Sequence, residues 1–80
     1  MVTYNIQYFA LLREQRGLDA ETVESSAATA EELYAELATR HGFTLPTTAL
    51  KVAINDDFSK WQAPLSSGDT IVFIPPVAGG

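Results

Sequence analysis

The last six residues, Pro75-Pro76-Val77-Ala78-Gly79-Gly80, offer chemistry that no ordinary folding role explains. Two consecutive prolines lack N–H donors, so a strand running into them must stop pairing, and their fixed φ stiffens the exit into an extended course. At about 3.1 Å per residue, the stretch from Pro76 to Gly80 would project a terminal carboxylate roughly 12 to 15 Å beyond the body, far enough to enter another protein's active site. Gly79 and Gly80 have no Cβ, so they fit a narrow channel and approach a reacting centre closely. An α-carboxyl with a pKa of about 3.3 to 3.7 is ionised near neutral pH and is a poor acyl electrophile, so it needs activation from outside the chain. Fraying is the competing explanation for small terminal residues. With glycine near 7% of average usage, a Gly-Gly pair falls at a given place by chance about once in 200, and a Pro-Pro pair just upstream is rarer still, which favours a functional arm.

No side-chain constellation in the rest of the chain could do covalent work. There is no cysteine, hence no thiol nucleophile, no disulfide and no thiolate metal site. His41, the single histidine, falls in the last turn of an expected helix, where interaction with the helix dipole accounts for it and no ligand partners accompany it. Asp56-Asp57 lacks the spacing of a calcium loop and reads as turn chemistry. No metal site is expected. Trp61 reads as a packing residue, since no basic groups interleave with it. The candidates for contact with partners are Phe9, Phe58 and Ile74, as an apolar patch, and Arg13, which could meet an acidic partner residue or lie in water.

These groups must be carried by one small domain, because 80 residues cannot build two cores. Hydrophobic residues make up 46% of the chain and aromatics 10%, enough for a packed interior and far from disordered composition. Ten acidic residues against five basic ones give a formal charge of −5, which excludes the clustered Lys and Arg of a phosphate-backbone binder and argues against nucleic acid as a partner. No stretch approaches the ~20 apolar residues of a membrane span, and the start has no basic segment followed by an apolar run, so a cytoplasmic protein is expected. An acidic surface favours encounter with basic protein surfaces.

Val2, Tyr4, Ile6 and Tyr8 alternate with Thr3, Asn5 and Gln7, the period of a half-buried strand, and Phe9 falls on the polar side of that alternation. Ala10 to Arg16 has good helix formers for one or two turns before Gly17. Ala20 to Ser25 reads as an edge strand paired with the first. Thr29 and Glu32 form a capping box for a helix beginning at about Ala30. Its apolar stripe runs through Leu33 and Leu37, its wet face carries Glu31, Glu32, Glu36 and Arg40, and Gly42 ends it. Leu50, Val52 and Ile54 mark a third strand, Asn55-Asp56-Asp57 a turn, and Phe58 a short fourth strand. Ser66-Ser67-Gly68-Asp69 is a turn signal before the apolar run Ile71-Val72-Phe73-Ile74, which reads as a strand covered on both faces and therefore central. The pattern predicts an α+β domain over residues 1–75, with a mixed sheet of about five strands and one main helix packed across it, followed by the extended arm 76–80.

Phe9-Ala10-Leu11-Leu12-Arg13-Glu14, Ala53-Ile54-Asn55, Pro64-Leu65-Ser66-Ser67-Gly68-Asp69 and Phe73-Ile74-Pro75-Pro76-Val77-Ala78-Gly79-Gly80, in this order over the whole chain, resemble the small subunits of molybdopterin synthase. That resemblance implies a ubiquitin-like β-grasp fold and a sulfur carrier of molybdenum cofactor biosynthesis that is not catalytic alone. It further implies that a ubiquitin-activating-like adenylyltransferase adenylates the Gly80 carboxylate with ATP. The adenylate becomes a thiocarboxylate and enters the large synthase subunit, in a heterotetramer, to sulfurate cyclic pyranopterin monophosphate. No cofactor bound to the chain itself is expected. An acyl adenylate has a good leaving group that a sulfur nucleophile displaces, so a chain without cysteine can still carry sulfur. The same terminal chemistry would serve a ubiquitin-like modifier conjugated through Gly80, or a carrier for thiamin or cysteine biosynthesis.

Overall fold

The computed structural model describes residues 2–75. β1 (Val2–Tyr8) leads into a short helix α1 (Ala10–Arg16), and β2 (Ala20–Ser25) returns antiparallel to β1. Helix α2 (Ala30–His41), a 3-10 turn (Thr47–Ala49), β3 (Lys51–Ile54), β4 (Asp57–Ser59) and β5 (Thr70–Ile74) follow. The sheet order is β2-β1-β5-β3-β4. β5 runs parallel to β1 and antiparallel to β3, so the last strand lies at the centre of a mixed sheet.

One face of this sheet is the core. Tyr4, Ile6 and Tyr8 from β1, Ile71 and Phe73 from β5 and Val52 from β3 pack against Leu33, Tyr34 and Leu37 of α2. Each large apolar side chain buried here contributes about 1.5 to 3 kcal/mol. The expected stripe on α2 is the stripe that is buried. Thr29 Oγ1 accepts from the Glu32 N–H at 3.2 Å. The return bond of the capping box is displaced by one residue, because the Glu32 carboxylate accepts from the N–H of Ala28 at 2.8 Å. Gly42, at φ 73°, provides the left-handed cap that ends the helix.

Two details differ from the sequence reading. Glu36 is only half exposed: it accepts from the buried Ser25 hydroxyl at 2.8 Å and from Arg40 at 2.9 Å, so it ties α2 to β2 and is no simple wet-face residue. His41 stands in the last turn of α2 as expected, but its surroundings are more than the helix end. Burial and the nearby Arg16 charge push its imidazole below its ordinary pKa, and its ring packs on Phe43 with centroids 5.8 Å apart.

The β3–β4 hairpin turns through Asn55 and Asp56, both at positive φ (52° and 74°), the geometry of a type I′ turn. Asn55 also locks the start of β5: its Nδ2 donates to Asp69 Oδ1 and its Oδ1 accepts from the Thr70 N–H, each at 2.9 Å. The turn before β5 is tied to β1 in the same way, by the Gly68 N–H donating to the Thr3 carbonyl at 2.7 Å. β5 ends at Ile74, where the first proline removes the next donor. No helix among the described residues is long and apolar enough to cross a membrane.

Candidate functional site

The second face of the sheet carries the candidate contact residues. Strand residues alternate between faces, so the core positions Tyr8, Phe73 and Val52 dictate that Gln7, Val72, Ala53 and Phe58 line up in one row across the opposite face. Ile74 and Lys51 form the next row on that face. Phe9 follows Tyr8, whose partner is Phe73, and so stands one step further along β1 beside the row of Ile74. Val72 and Ala53 are nearly covered, whereas Phe58 is 74% exposed and Phe9 46%. Large aromatic surfaces left in water around a small aliphatic floor are the composition of a protein-contact patch.

β5 delivers the chain to the margin of this patch at Ile74, and the next residue, Pro75, is buried against the body. Pro75 thus belongs to the domain and anchors the exit. Pro76, Val77, Ala78, Gly79 and Gly80 lie outside the described residues. Arg13 lies in α1 with its side chain 54% exposed, 3.6 Å from Asp19, and borders a shallow recess with Phe9, Gln7 and Tyr8. It sits beside the patch with a loose ion pair, which solvent and salt screen strongly.

Beneath Phe9 lies a polar cluster that sequence reading missed. Glu21 accepts a hydrogen bond from the Tyr8 hydroxyl at 2.6 Å and two from Arg16, both at 2.8 Å. These hydrogen bonds, those from Arg16 foremost, hold the Glu21 carboxyl below its usual range, while burial and the adjacent carboxylate push the Tyr8 phenol up. His41 Nε2 lies 3.8 Å from Glu21 Oε2 and is buried with no hydrogen-bond partner among the described residues. The hydrogen bonds of the cluster tie α1 and β2 to the end of β1, and His41 at the end of α2 lies against them. Its members are scattered over the sequence, and no local spacing announces them.

Trp61 packs where expected, its ring parallel to Phe73 at 5.9 Å and edge-on to Tyr34 at 5.9 Å. The expectation that no basic groups accompany it is corrected, because Lys51 and Lys60 line the same groove as Trp61. The adjacency of Lys60 and Trp61 was the available signal; the cross-strand approach of Lys51 was not visible in the sequence. Among the described residues no group of three or more His, Cys, Asp or Glu side chains comes together to hold a metal ion.

A mixed five-stranded sheet with a helix across one face and a C-terminal central strand defines a ubiquitin-like β-grasp domain. The family model described as "ThiS family" matches residues 6–80. The chain belongs to the ThiS family. The molybdopterin synthase sulfur carrier subunit of Haemophilus influenzae is 38% identical over 79 residues, covering 95% of this chain and 98% of the relative. Its counterpart in Escherichia coli is 35% identical over 78 residues, covering 94% and 96%. Among solved structures, the complex of subunits 1 and 2 of the molybdopterin-converting factor from Helicobacter pylori contains a chain that superposes with a TM-score of 0.68 at 25% identity, covering 99% of this chain and 100% of that one. The small archaeal modifier protein 1 of H. volcanii superposes with a TM-score of 0.82 at 20% identity, covering 96% of this chain and 100% of that one, a likeness of fold alone.

Proposed function

We propose that this protein is the sulfur carrier subunit of a molybdopterin synthase, working in the cytoplasm of its cell. The observation that carries the reading is the match over nearly the whole chain to two sulfur carrier subunits of that synthase. The partner is the large synthase subunit, in a heterotetramer. It is held by the sheet face of Phe9, Phe58 and Ile74, with Arg13 at its border, while the segment from Pro76 to Gly80 reaches into the partner's active site.

The reacting group is the carboxylate of Gly80. A ubiquitin-activating-like adenylyltransferase joins one carboxylate oxygen to the α-phosphorus of ATP and releases pyrophosphate. A sulfide-level nucleophile then attacks the acyl carbon, and AMP leaves with that oxygen. The thiocarboxylate so formed delivers its sulfur to cyclic pyranopterin monophosphate inside the large subunit. This chain holds no cofactor of its own. It contributes the acyl group and a body that partners grip; acids and bases for both steps come from the enzymes that receive it.

Intact mass after co-expression with the cognate activating enzyme tests the chemistry. Replacement of one oxygen by sulfur, lost when Gly79 and Gly80 are deleted, is the expected result. High-mass adducts joined through Gly80 would instead mark a protein modifier. Sulfuration of the pterin precursor by the loaded chain with its large subunit separates this carrier from one serving thiamin or cysteine synthesis.

A further inference from the structure

The chain has five basic residues, and their placement is uneven. Arg13, Arg16 and Arg40 each face an acid, Asp19, Glu21 and Glu36 respectively, at 3.6, 2.8 and 2.9 Å. Lys51 and Lys60 have no ion pair among the described residues, and both line one groove of about 460 Å³ with Leu50, Phe58 and Trp61. In a protein of charge −5, this is an unneutralised positive site with an apolar floor.

The groove runs along the free edge of the sheet. In a two-residue type I′ hairpin the residues flanking the turn, here Ile54 and Asp57, exchange both main-chain hydrogen bonds. The next pair, Ala53 and Phe58, does not, so the N–H and carbonyl of Phe58 point away from β3. β4 is the last strand in the sheet order, and those groups therefore face outward. Such an edge accepts an added strand.

The geometry points to this groove as a docking site for an extended, acidic segment of a partner protein, which pairs with Phe58 at the edge of β4 and sets its carboxylates against Lys51 and Lys60. Phe58 shares a sheet face with Lys51, so the apolar side chains of the segment seat on Leu50 and Trp61, toward the other face. Charge selects the occupant. Two lysines on an otherwise acidic chain give too small a positive field for nucleic acid or an anionic membrane, and a second copy of net charge −5 is repelled at long range. The inference goes beyond the sulfur chemistry and does not require it.

The probe is a capped eight-residue peptide alternating valine and glutamate, with a counterpart carrying lysine in place of glutamate. Binding to the full chain is followed by Trp61 fluorescence and by the amide resonances of Phe58 and Lys60. The glutamate peptide is expected to bind, to perturb the Phe58 amide and to weaken with added salt. Its affinity should fall about tenfold when Lys51→Glu and Lys60→Glu are combined, since two rim attractions become repulsions. Should that double variant fold poorly, Lys51→Gln with Lys60→Gln replaces it, with a smaller fall in the same direction. Equal binding of the lysine peptide, indifference to both double variants or an unperturbed Phe58 amide would overturn the proposal. Dimerisation of the chain alone that protects the groove would overturn it in favour of a second copy, and displacement of the peptide by inorganic phosphate in favour of a phosphate site. Deletion of Gly79 and Gly80 should leave peptide binding unchanged, so failure of the sulfur reading and failure of this one are read separately.

Discussion

The Tyr8 hydroxyl donates to Glu21 Oε2 at 2.6 Å, and this bond joins the strand that presents Phe9 to the edge strand β2. Arg16 closes the arrangement from α1, and the His41 imidazole lies against it from the end of α2. Hydrogen bonds from Arg16 and Tyr8 lower the Glu21 pKa from its ordinary 4.5, against an opposing effect of burial. Burial lowers that of His41 from 6.5, with Arg16 acting in the same sense and Glu21 against it.

Both groups have folded pKa values below their unfolded ones, so the unfolded chain binds more protons and stability falls on acidification. For His41 the loss begins as pH drops below its ordinary 6.5. The contribution of Glu21 is present above its ordinary 4.5 and disappears as pH falls through its lowered folded value. Melting temperature measured across pH 3 to 8 should therefore decline in two stages toward acid. Glu21→Gln should lower the melting temperature at pH 7 and flatten the more acidic stage, while the stage near pH 6 persists. A variant whose profile stays parallel to that of the parent throughout would show that Glu21 titrates as if unpartnered.

At the β3–β4 turn, Asp56 sits at φ 74° with its side chain in solvent. A left-handed conformation costs an L-residue roughly 1 kcal/mol that glycine does not bear, and glycine is the preferred second residue of a type I′ turn. Asp56→Gly should stabilise the domain by about 0.5 to 1 kcal/mol, a rise of roughly 2 to 8 °C in melting temperature. Asn55 shares the conformation but bonds Asp69 and Thr70, so Asn55→Gly should destabilise despite the easier backbone. Calorimetry on the two variants checks the opposite signs.

The parts of this fold legible in the sequence are those written in local periodicity. The alternation through Val2, Tyr4, Ile6 and Tyr8 gave β1 and its buried face, and the unbroken run Ile71 to Phe73 marked the central strand, because a strand covered on both sides has no polar phase. Phe9 and Phe58 were readable as surface aromatics for the same reason, one out of phase and one just past a turn. Long-range contacts were not readable. The cluster of Tyr8, Arg16, Glu21 and His41 draws on four elements, and the approach of Lys51 to Lys60 depends on hairpin register; neither has a signature in neighbouring residues. Pro75 was readable as the point where strand pairing stops and as the last residue of the domain, and it is buried in the body.

Phe73 should be intolerant of truncation. It is fully buried, stacks on Trp61 and meets Tyr34 edge-on at 5.1 Å. Phe73→Ala removes those contacts from the central strand at a cost of about 3 to 5 kcal/mol, comparable with the whole stability of a domain this small. Chemical denaturation should show a midpoint near zero denaturant or an unfolded chain. Retention of most of the parent's stability would mean that α2 closes over the gap.

Phe9 and Ile74 should behave in the opposite way, and that contrast tests the sheet face as an interface. Phe9 is half exposed and Ile74 lies on the face away from the core, so Phe9→Ala and Ile74→Ala should change stability by about 0.5 kcal/mol or a little more. Aromatic and aliphatic anchors that become buried in a contact carry most of its binding energy, and truncating one costs about 2 kcal/mol or more, some thirtyfold in affinity. Titration calorimetry of each variant against the cognate large subunit, with melting curves on the free chains, separates the two effects. Parent-like affinity for both variants and for Phe58→Ala, the third exposed member of the patch, would remove this face from the interface and leave the arm beyond Pro75 to carry the recognition. Weakened affinity at an unchanged melting temperature would assign the grip on the body to Phe9 and Ile74, because a folding defect cannot produce that combination.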